Sequence, residues 1–430
     1  MTEPIILLPR YYADRIVKSG KAYGFIDARH DGAEHVLVVD GFVLGQDQGA
    51  HHGGSDWVGD RHYLRYATRV PGAGAWYRVH HLVHDLGREA SVRRAAFDLD
   101  TFRDGLEGGW VHIGATQMPA ITYAERPDGT GEWAAWMIDG DQGMAARIDL
   151  QLIDEEMPLL APLVDHWPLF DIADEHVVLV GAGSIGSATA DALAAYGVRR
   201  FTLVDPDRLL NHNFARHRAH PEHLGRRKVI AERKRLLDRD PTLDIDALPA
   251  DVIDDADLMR PLFAGASLIV VTSDGVDSRR AANHLARRAG KPVVFACVLM
   301  NGSYGEVLRV PTPGVGCLLC ARAALVESGA MANPEEHLDR AYGTGTRHLP
   351  MTAVGGDLGL VGQLAAKTAV ATLLHAKGHA DQRLPGDHAI LGLRPRPGLA
   401  APFDIEFAGE IRWSALPPPR PDCPSCSTAT

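Results

Sequence analysis

A chain of 430 residues that is 46% hydrophobic and 23% charged holds enough apolar material for two or three domains with buried cores. Those fractions exclude wholesale disorder, collagen and coiled coil. A formal net charge of −11 argues against a general nucleic-acid binder, which would carry a basic surplus, so no nucleic acid is expected as a partner.

The opening segment MTEPIILLPRYY has an acidic Glu3 and too short an apolar run for a secretory signal. Residues 1–155 read as a smaller α+β domain. Strand-like runs fall at Val36–Val39, Val111–Ile113 and Trp133–Ile138, with helices at Ala13–Lys18 and Leu99–Leu106. His80 and His84 are spaced to share one helix face, but a metal would need a third ligand. Residues 156–174 contain Pro158, Pro162 and Pro168 and read as a linker.

From residue 175 to 430 the pattern becomes alternating strand and helix. Val177–Val180, Phe201–Val204, Leu268–Val271 and Pro292–Val298 are continuous apolar runs. Ser187–Tyr196, Arg226–Leu237 and Asp277–Arg288 are the helices between them. Such runs predict a Rossmann-like, doubly wound α/β domain with a mainly parallel sheet covered on both faces. Gly305–Val310, His388–Leu393 and Phe403–Trp413 predict an antiparallel extension. The long apolar stretch Val177–Val198 is interrupted by Gly181, Gly183, Gly186 and Asp191, and no membrane span is expected.

Gly181-Ala-Gly183-Ser-Ile-Gly186 lies between a predicted strand and a helix. Glycines there allow a tight turn and bring backbone N–H groups up to a phosphate at the helix N-terminus. Asp205 follows the next strand, about twenty residues on, where a carboxylate can hold a ribose hydroxyl. The loop alone suits NAD, FAD or ATP equally. The next stretch separates them. Asp205-Pro-Asp207 is followed by Asn213, Arg216 and Lys228. An amide and two cations suit nucleotidyl transfer, in which charge builds on the α-phosphate and the leaving pyrophosphate. Thr272-Ser273-Asp274 ends another strand at the edge where ligands of such sheets bind, and Asp274 there can hold Mg²⁺.

The five cysteines are Cys297, Cys317, Cys320, Cys423 and Cys426. Their distribution fits a reducing cytoplasm better than a disulfide framework. Cys317-Leu-Leu-Cys320 and Cys423-Pro-Ser-Cys426 can present four thiolates to one structural Zn²⁺, tying the chain's end to the α/β domain.

On these motifs, residues 160–430 resemble the ThiF/MoeB/ubiquitin-activating-enzyme superfamily of ATP-dependent adenylyltransferases. The matching residues are GAGSIG, Asp205/Asp207, Asn213-Phe-Ala-Arg216-His217, Lys228, and Ser273-Asp274 with Arg279. His217 stands where the family usually has Gln, and Gly275 where it has Asn. Val164–Glu175 lacks the arginine that often reaches a partner subunit's ATP. The resemblance implies adenylation of the C-terminal carboxylate of a ubiquitin-like protein with ATP and Mg²⁺. Transfer to a conjugating-enzyme-like partner would follow, in a cytoplasmic homodimer serving a bacterial conjugation pathway, antiphage defence included. The alternatives are adenylation of a ribosomally made peptide, activation of a sulfur carrier, or NAD-dependent oxidoreduction.

In the superfamily an acyl group often passes to a cysteine on a crossover loop. Here that loop is expected at residues 321–353, and it contains no cysteine. Cys297, in an apolar strand, is expected to be a core residue. A loop hydroxyl (Thr344, Thr346 or Thr352) is then the candidate acyl carrier, with His337 or His348 as base, unless the adenylate goes straight to a partner. The N-terminal domain is similar in element order to a JAB/MPN deubiquitinase-type fold. Val111-His112-Ile113-Gly114 lacks the second histidine of that family's zinc motif, which implies an inactive domain that recognises a partner. A conjugating-enzyme-like fold is the competing expectation.

Overall fold

The computed structural model describes residues 4–31, 36–43, 57–58, 70–93, 95, 97–110, 117–154, 159–311, 314–332 and 352–427. It divides into two compact units, Met1–Pro158 and Leu159–Thr430.

In the first unit β1 (Ile5–Pro9) runs into α1 (Arg10–Ser19), followed by β2 (Tyr23–Asp31), β3 (Val36–Val43), β4 (Trp57–Val58) and β5 (Val70–Arg78). Then come α2 (His81–Val92), β6 (Phe97–Asp98), α3 (Leu99–Asp104), β7 (Gln117–Glu125), β8 (Gly131–Asp139) and β9 (Met144–Ile153). The sheet order is β1-β3-β2-β5-β7-β8-β9-β6, and β1 also pairs in parallel with β9, from Ile5↔Asp149 to Pro9↔Ile153. That pairing closes the sheet on itself and removes the edges that β1 and β9 would otherwise expose. Ile6, Leu8, Tyr12, Phe42 and Trp76 are fully buried in one cluster, and Trp136 is fully buried in a second. The arginine of β5 holds the end of α1: Arg78 donates to the carbonyls of Ile16 and Val17, the cation-to-C-terminus contact a helix favours.

Among the described residues the histidine pair joins no cluster of metal-ligating side chains. His80 precedes α2 as its N-cap. His84 is buried and its Nε2 bonds the Thr122 hydroxyl at 2.7 Å, which also accepts from Trp136 Nε1 at 2.8 Å. Val111–Ile113, with His112, lies outside the described residues.

In the second unit the segment read as linker carries α4 (Leu169–Ala173), and Trp167 donates its Nε1–H to the Tyr196 carbonyl at 2.7 Å. The alternation is β10 (His176–Val180), α5 (Ser184–Tyr196), β11 (Arg200–Val204), α6 (Lys228–Arg239), β12 (Asp244–Leu248), α7 (Ala256–Gly265), β13 (Leu268–Val271), α8 (Val276–Ala289) and β14 (Val293–Leu299). β15 (Tyr304–Val310), α9 (Leu318–Glu327), α10 (Gly355–Ala376), β16 (His388–Gly392) and β17 (Ile411–Ser414) follow. The sheet order is β12-β11-β10-β13-β14-β15-β16-β17. β12 to β14 are parallel neighbours, and β15 to β17 continue antiparallel. This is the doubly wound sheet with an antiparallel extension that the apolar runs predict.

Several boundaries differ. α5 starts three residues early, because Gly183 serves as its N-cap and Gly186 turns against the Gly181 carbonyl, where a Cβ would sit 1.9 Å from that oxygen. The last antiparallel run is shorter than Phe403–Trp413: Phe403 and Ile405 pack inside, but only Ile411–Ser414 pairs with β16. The first seven residues of the expected crossover loop are helical, since 321–327 belong to α9. Gly355–Ala376 is long and apolar enough to cross a membrane, yet two-thirds of that window is buried. It is a core helix: a Cβ on Gly362 would lie 2.8 Å from Ala188 of α5, so the small residues let the two backbones meet.

Candidate nucleotide site and cysteine cluster

β10 is the strand from which the chain winds both ways, to β11 and β12 on one side and to β13 and β14 on the other. The crevice at the carboxyl ends of β10 and β13 is therefore the topological switch point, where ligands of open α/β sheets bind. The glycine loop leaves β10 there. Gly181 has φ +96°, and a Cβ on it would meet Ser273 N at 2.7 Å and the Thr272 carbonyl carbon at 2.9 Å. Thr272 donates its hydroxyl to the Gly181 carbonyl at 2.7 Å and its N–H to Val180 at 2.8 Å, fastening the loop to β13. Gly183 is different: a Cβ there would have no protein atom within 4 Å. The first bond of α5 runs from Ser187 N–H to Gly183 O, so the N–H groups of Ser184, Ile185 and Gly186 come before it. A helix N-terminus beside an open glycine is the cradle a phosphate needs.

Behind the loop stands a carboxylate pair with a lysine. Asp205 is 6% exposed; it accepts Ala182 N–H at 2.7 Å and Asp207 N–H at 2.8 Å. Burial pushes the Asp205 carboxyl up from its ordinary value, while the Lys228 charge and the two amide donors work against that shift. Lys228, the first residue of α6, bonds Asp207 Oδ2 at 2.7 Å and lies 3.9 Å from Asp205 Oδ1. Burial disfavours its charge, but the carboxylates of Asp205, Asp207 and Asp274 outweigh burial and raise its pKa. Asp274 itself is exposed beyond the end of β13, before α8. Its main-chain carbonyl accepts from Arg279 at 3.4 Å.

Asn213 and Arg216 sit on the turn segment Asn211–Ala215 and just after it. Asn213 Oδ1 accepts from Leu210 N–H at 2.7 Å, so its NH₂ is the donor it can offer a ligand. Arg216 is half-buried and packs under the start of α10, where a Cβ on Gly355 would sit 3.1 Å from its Cα. His217, a departure from the family pattern in the sequence, bonds the Ala182 carbonyl at 2.7 Å. Its proximity could have been suspected from its place directly after Asn213 and Arg216.

Cys317 and Cys320 open α9, and Cys423 and Cys426 come from the chain's end. Their four sulfurs lie within 4.8 Å of one another, with Cys317–Cys423 at 3.6 Å and Cys320–Cys426 at 3.8 Å. A tetrahedron with Zn–S bonds of about 2.3 Å sets its sulfurs about 3.8 Å apart. The donors fit that ion. Arg420 N–H points to Cys320 Sγ at 3.4 Å and Arg287 Nη2 to Cys426 Sγ at 3.6 Å, as they would toward thiolates. Four sulfur ligands close the coordination sphere, so the ion would be structural.

Cys297, the remaining cysteine, is 5% exposed on β14. It donates to Glu306 Oε2 at 3.4 Å, and burial pushes its thiol up to about 11. Glu306 also accepts from Arg322 through both oxygens and from His388 Nε2 at 2.8 Å. Thr344 and Thr346 lie outside the described residues, as do His337 and His348. Thr352 is half-buried before α10, and its carbonyl accepts from Arg394 at 2.6 Å.

The ThiF family model matches residues 158–387, more than half of the chain. The chain belongs to the ThiF family. This ThiF-family chain is 31% identical over 163 residues to the sulfur carrier protein ThiS adenylyltransferase of Bacillus subtilis (strain 168), covering 37% of this chain and 47% of that protein. It is 26% identical over 168 residues to the ubiquitin-like modifier-activating enzyme 5 of Branchiostoma floridae, covering 37% of this chain and 42% of that one. The matches thus span about half the length of these curated relatives. Among solved structures it is similar to E. coli MccB with succinimide, at 17% identity and a TM-score of 0.45, over 60% of this chain and 68% of that one.

Proposed function

We propose that the second unit is an ATP-dependent adenylyltransferase acting on the C-terminal carboxylate of a ubiquitin-like or sulfur-carrier protein. The observation that carries this reading is the open Gly183, at a switch point ringed by Asp205, Asp207, Lys228 and Asp274. Family membership and the activities named for the relatives support the reaction class.

On this reading the N–H groups at the start of α5 take the nucleotide's phosphates, and Asp205 accepts a ribose hydroxyl. A carboxylate oxygen of the carrier protein attacks the α-phosphorus. The bond from that phosphorus to the bridging oxygen breaks, and pyrophosphate leaves with the electron pair. The product is an acyl-adenylate. Lys228, Arg216 and the Asn213 amide offset the negative charge on the α-phosphate and the leaving group. Asp274 would hold Mg²⁺, which would supply positive charge against the phosphates. Zn²⁺ on Cys317, Cys320, Cys423 and Cys426 would hold the chain's end against α9.

Acyl transfer then bypasses Cys297, whose buried, raised thiol supplies little thiolate. A partner protein's nucleophile, or first a hydroxyl at Thr344, Thr346 or Thr352, attacks the acyl carbon, the bond from that carbon to the phosphate oxygen breaks, and AMP leaves with the electron pair. The first unit, with its own closed sheet, would serve as the partner-recognition module. The test is ATP–pyrophosphate exchange with purified ubiquitin-like proteins, sulfur carriers and short peptides. Exchange that depends on a carrier protein supports the proposal. Exchange with a peptide alone would redirect the substrate, and none with ATP present would refute the reaction class.

A further inference from the structure

His217 joins two parts of the candidate site that are 35 residues apart in sequence. Its own N–H donates to the Asn213 carbonyl at 2.8 Å, fixing it to the segment that carries Asn213 and Arg216. Its ring reaches the glycine loop. Nδ1 accepts from Ala219 N–H at 2.9 Å, and a ring nitrogen that accepts carries no proton. The proton is therefore on Nε2, which donates to the Ala182 carbonyl at 2.7 Å. Ala182, fully buried, is held from the other side by its N–H on Asp205 Oδ2. Both backbone polar groups of Ala182, the residue before Gly183, are thus set by side chains.

We propose that His217 is a positioning residue for the glycine loop: held as the Nε2–H tautomer, it fixes the Ala182 carbonyl and thereby the face that Gly183 opens to nucleotide phosphate. The function assigned to that face rests on the adenylation reading above. The clamp on the loop does not.

This device is sensitive to acid. A proton added at Nδ1 would point at the Ala219 N–H, two donors facing each other, and one of the two ring contacts would break. The ring is 7% exposed. The groups facing it are Glu232 and Lys228 on α6 and Asp205 after β11. Burial disfavours the charged ring first of all, and Lys228 adds to that. Glu232 and Asp205 oppose them, and the balance leaves the pKa below 6.5. A histidine lowered in this way contributes stability that is complete above 6.5 and lost as pH falls through the folded-state value. Glutamine offers a donor and an acceptor on one amide without titrating.

The test is hydrogen–deuterium exchange of residues 181–187 in the full chain without nucleotide, at about pH 7.5 and about pH 5.5. Wild type should be protected at the higher pH and, after correction for intrinsic rates, lose about fivefold of that protection at the lower. His217→Gln should hold the same protection at both, and His217→Ala should be low at both. In parallel, His217→Ala should weaken Mg-ATP binding about tenfold, and His217→Gln should restore most of it. Equal exchange in all three proteins, or an acid loss that persists in His217→Gln, would overturn the proposal. If His217→Ala does not fold, wild type and His217→Gln at the two pH values still decide. If wild type binds no Mg-ATP, the adenylation reading falls, and the exchange result still rules on the clamp.

Discussion

Two of the clusters of charged and titratable side chains in the second unit are built on opposite plans. At the carboxyl ends of β10 and β13, Asp205, Asp207, Lys228 and Asp274 stand beside a glycine with open space over it. Between β14, β15, β16 and α9, Glu306 is 1% exposed and accepts hydrogen bonds from Arg322, His388 and Cys297. Glu306 would be raised by burial alone, but Arg322 and His388 hold it well below the usual carboxylate range. The donors that meet Glu306 all come from within the protein. In the first cluster Asp274 is exposed at the crevice. Residue type therefore does not mark the reactive site here. Cys297 has the only thiol outside the cysteine pairs, yet it belongs to the closed cluster, where it donates to Glu306.

Chelation of Zn²⁺, or Cys317→Ser, should produce the largest loss: structural zinc contributes on the order of 10 kcal/mol in small domains. α9 and the chain's end should become protease-sensitive, read by limited proteolysis with metal analysis. Freshly purified protein without zinc would contradict this. Arg322→Met comes next. It leaves Glu306 buried without its cation and should cost about 3–5 kcal/mol in denaturant unfolding. The same cluster sets a pH dependence. Glu306 is lowered in the folded state, so its contribution is complete above the ordinary value of 4.5 and is lost as pH falls through the folded value. The Arg322→Met protein should lose much of that acid sensitivity.

The open side should respond in activity instead of stability. Lys228→Ala and Asp274→Ala should each lower ATP–pyrophosphate exchange by about a hundredfold or more. Asp274→Ala should do so with unfolding unchanged within about 0.5 kcal/mol, because its side chain is exposed. The smallest effect belongs to Cys297→Ala. It should cost roughly 1 kcal/mol and leave exchange, and any covalent acyl adduct, unaffected. A thiol-sensitive adduct that vanishes in that variant would place Cys297 on the open side of the comparison.

The sequence carried the architecture of the second unit well. Parallel strands buried on both faces read as continuous β-branched runs, and Val177–Val180 and Leu268–Val271 stand out for that reason. The edge strand Asp244–Leu248 was missed because alternating acids look like a loop. The glycine loop and the paired CxxC motifs were legible because their chemistry lies within a few residues. Glu306, Arg322 and His388 were not, since nothing local says that a charge in one strand meets a cation 16 residues on and a histidine 82 residues on. The closure of the first sheet through β1 and β9 is invisible for the same reason: it pairs residues near both ends of that unit.

On the proposed reading, nucleotide phosphate sits in the space over Gly183. Gly183→Val tests it directly, because φ at this position is −83° and the added side chain meets no protein atom within 4 Å at its Cβ. Calorimetric titration with Mg-ATP should show binding to wild type and binding at least about a hundredfold weaker to Gly183→Val, with the melting temperature unchanged within about 2 °C. Equal Mg-ATP affinity in the two proteins would contradict the account.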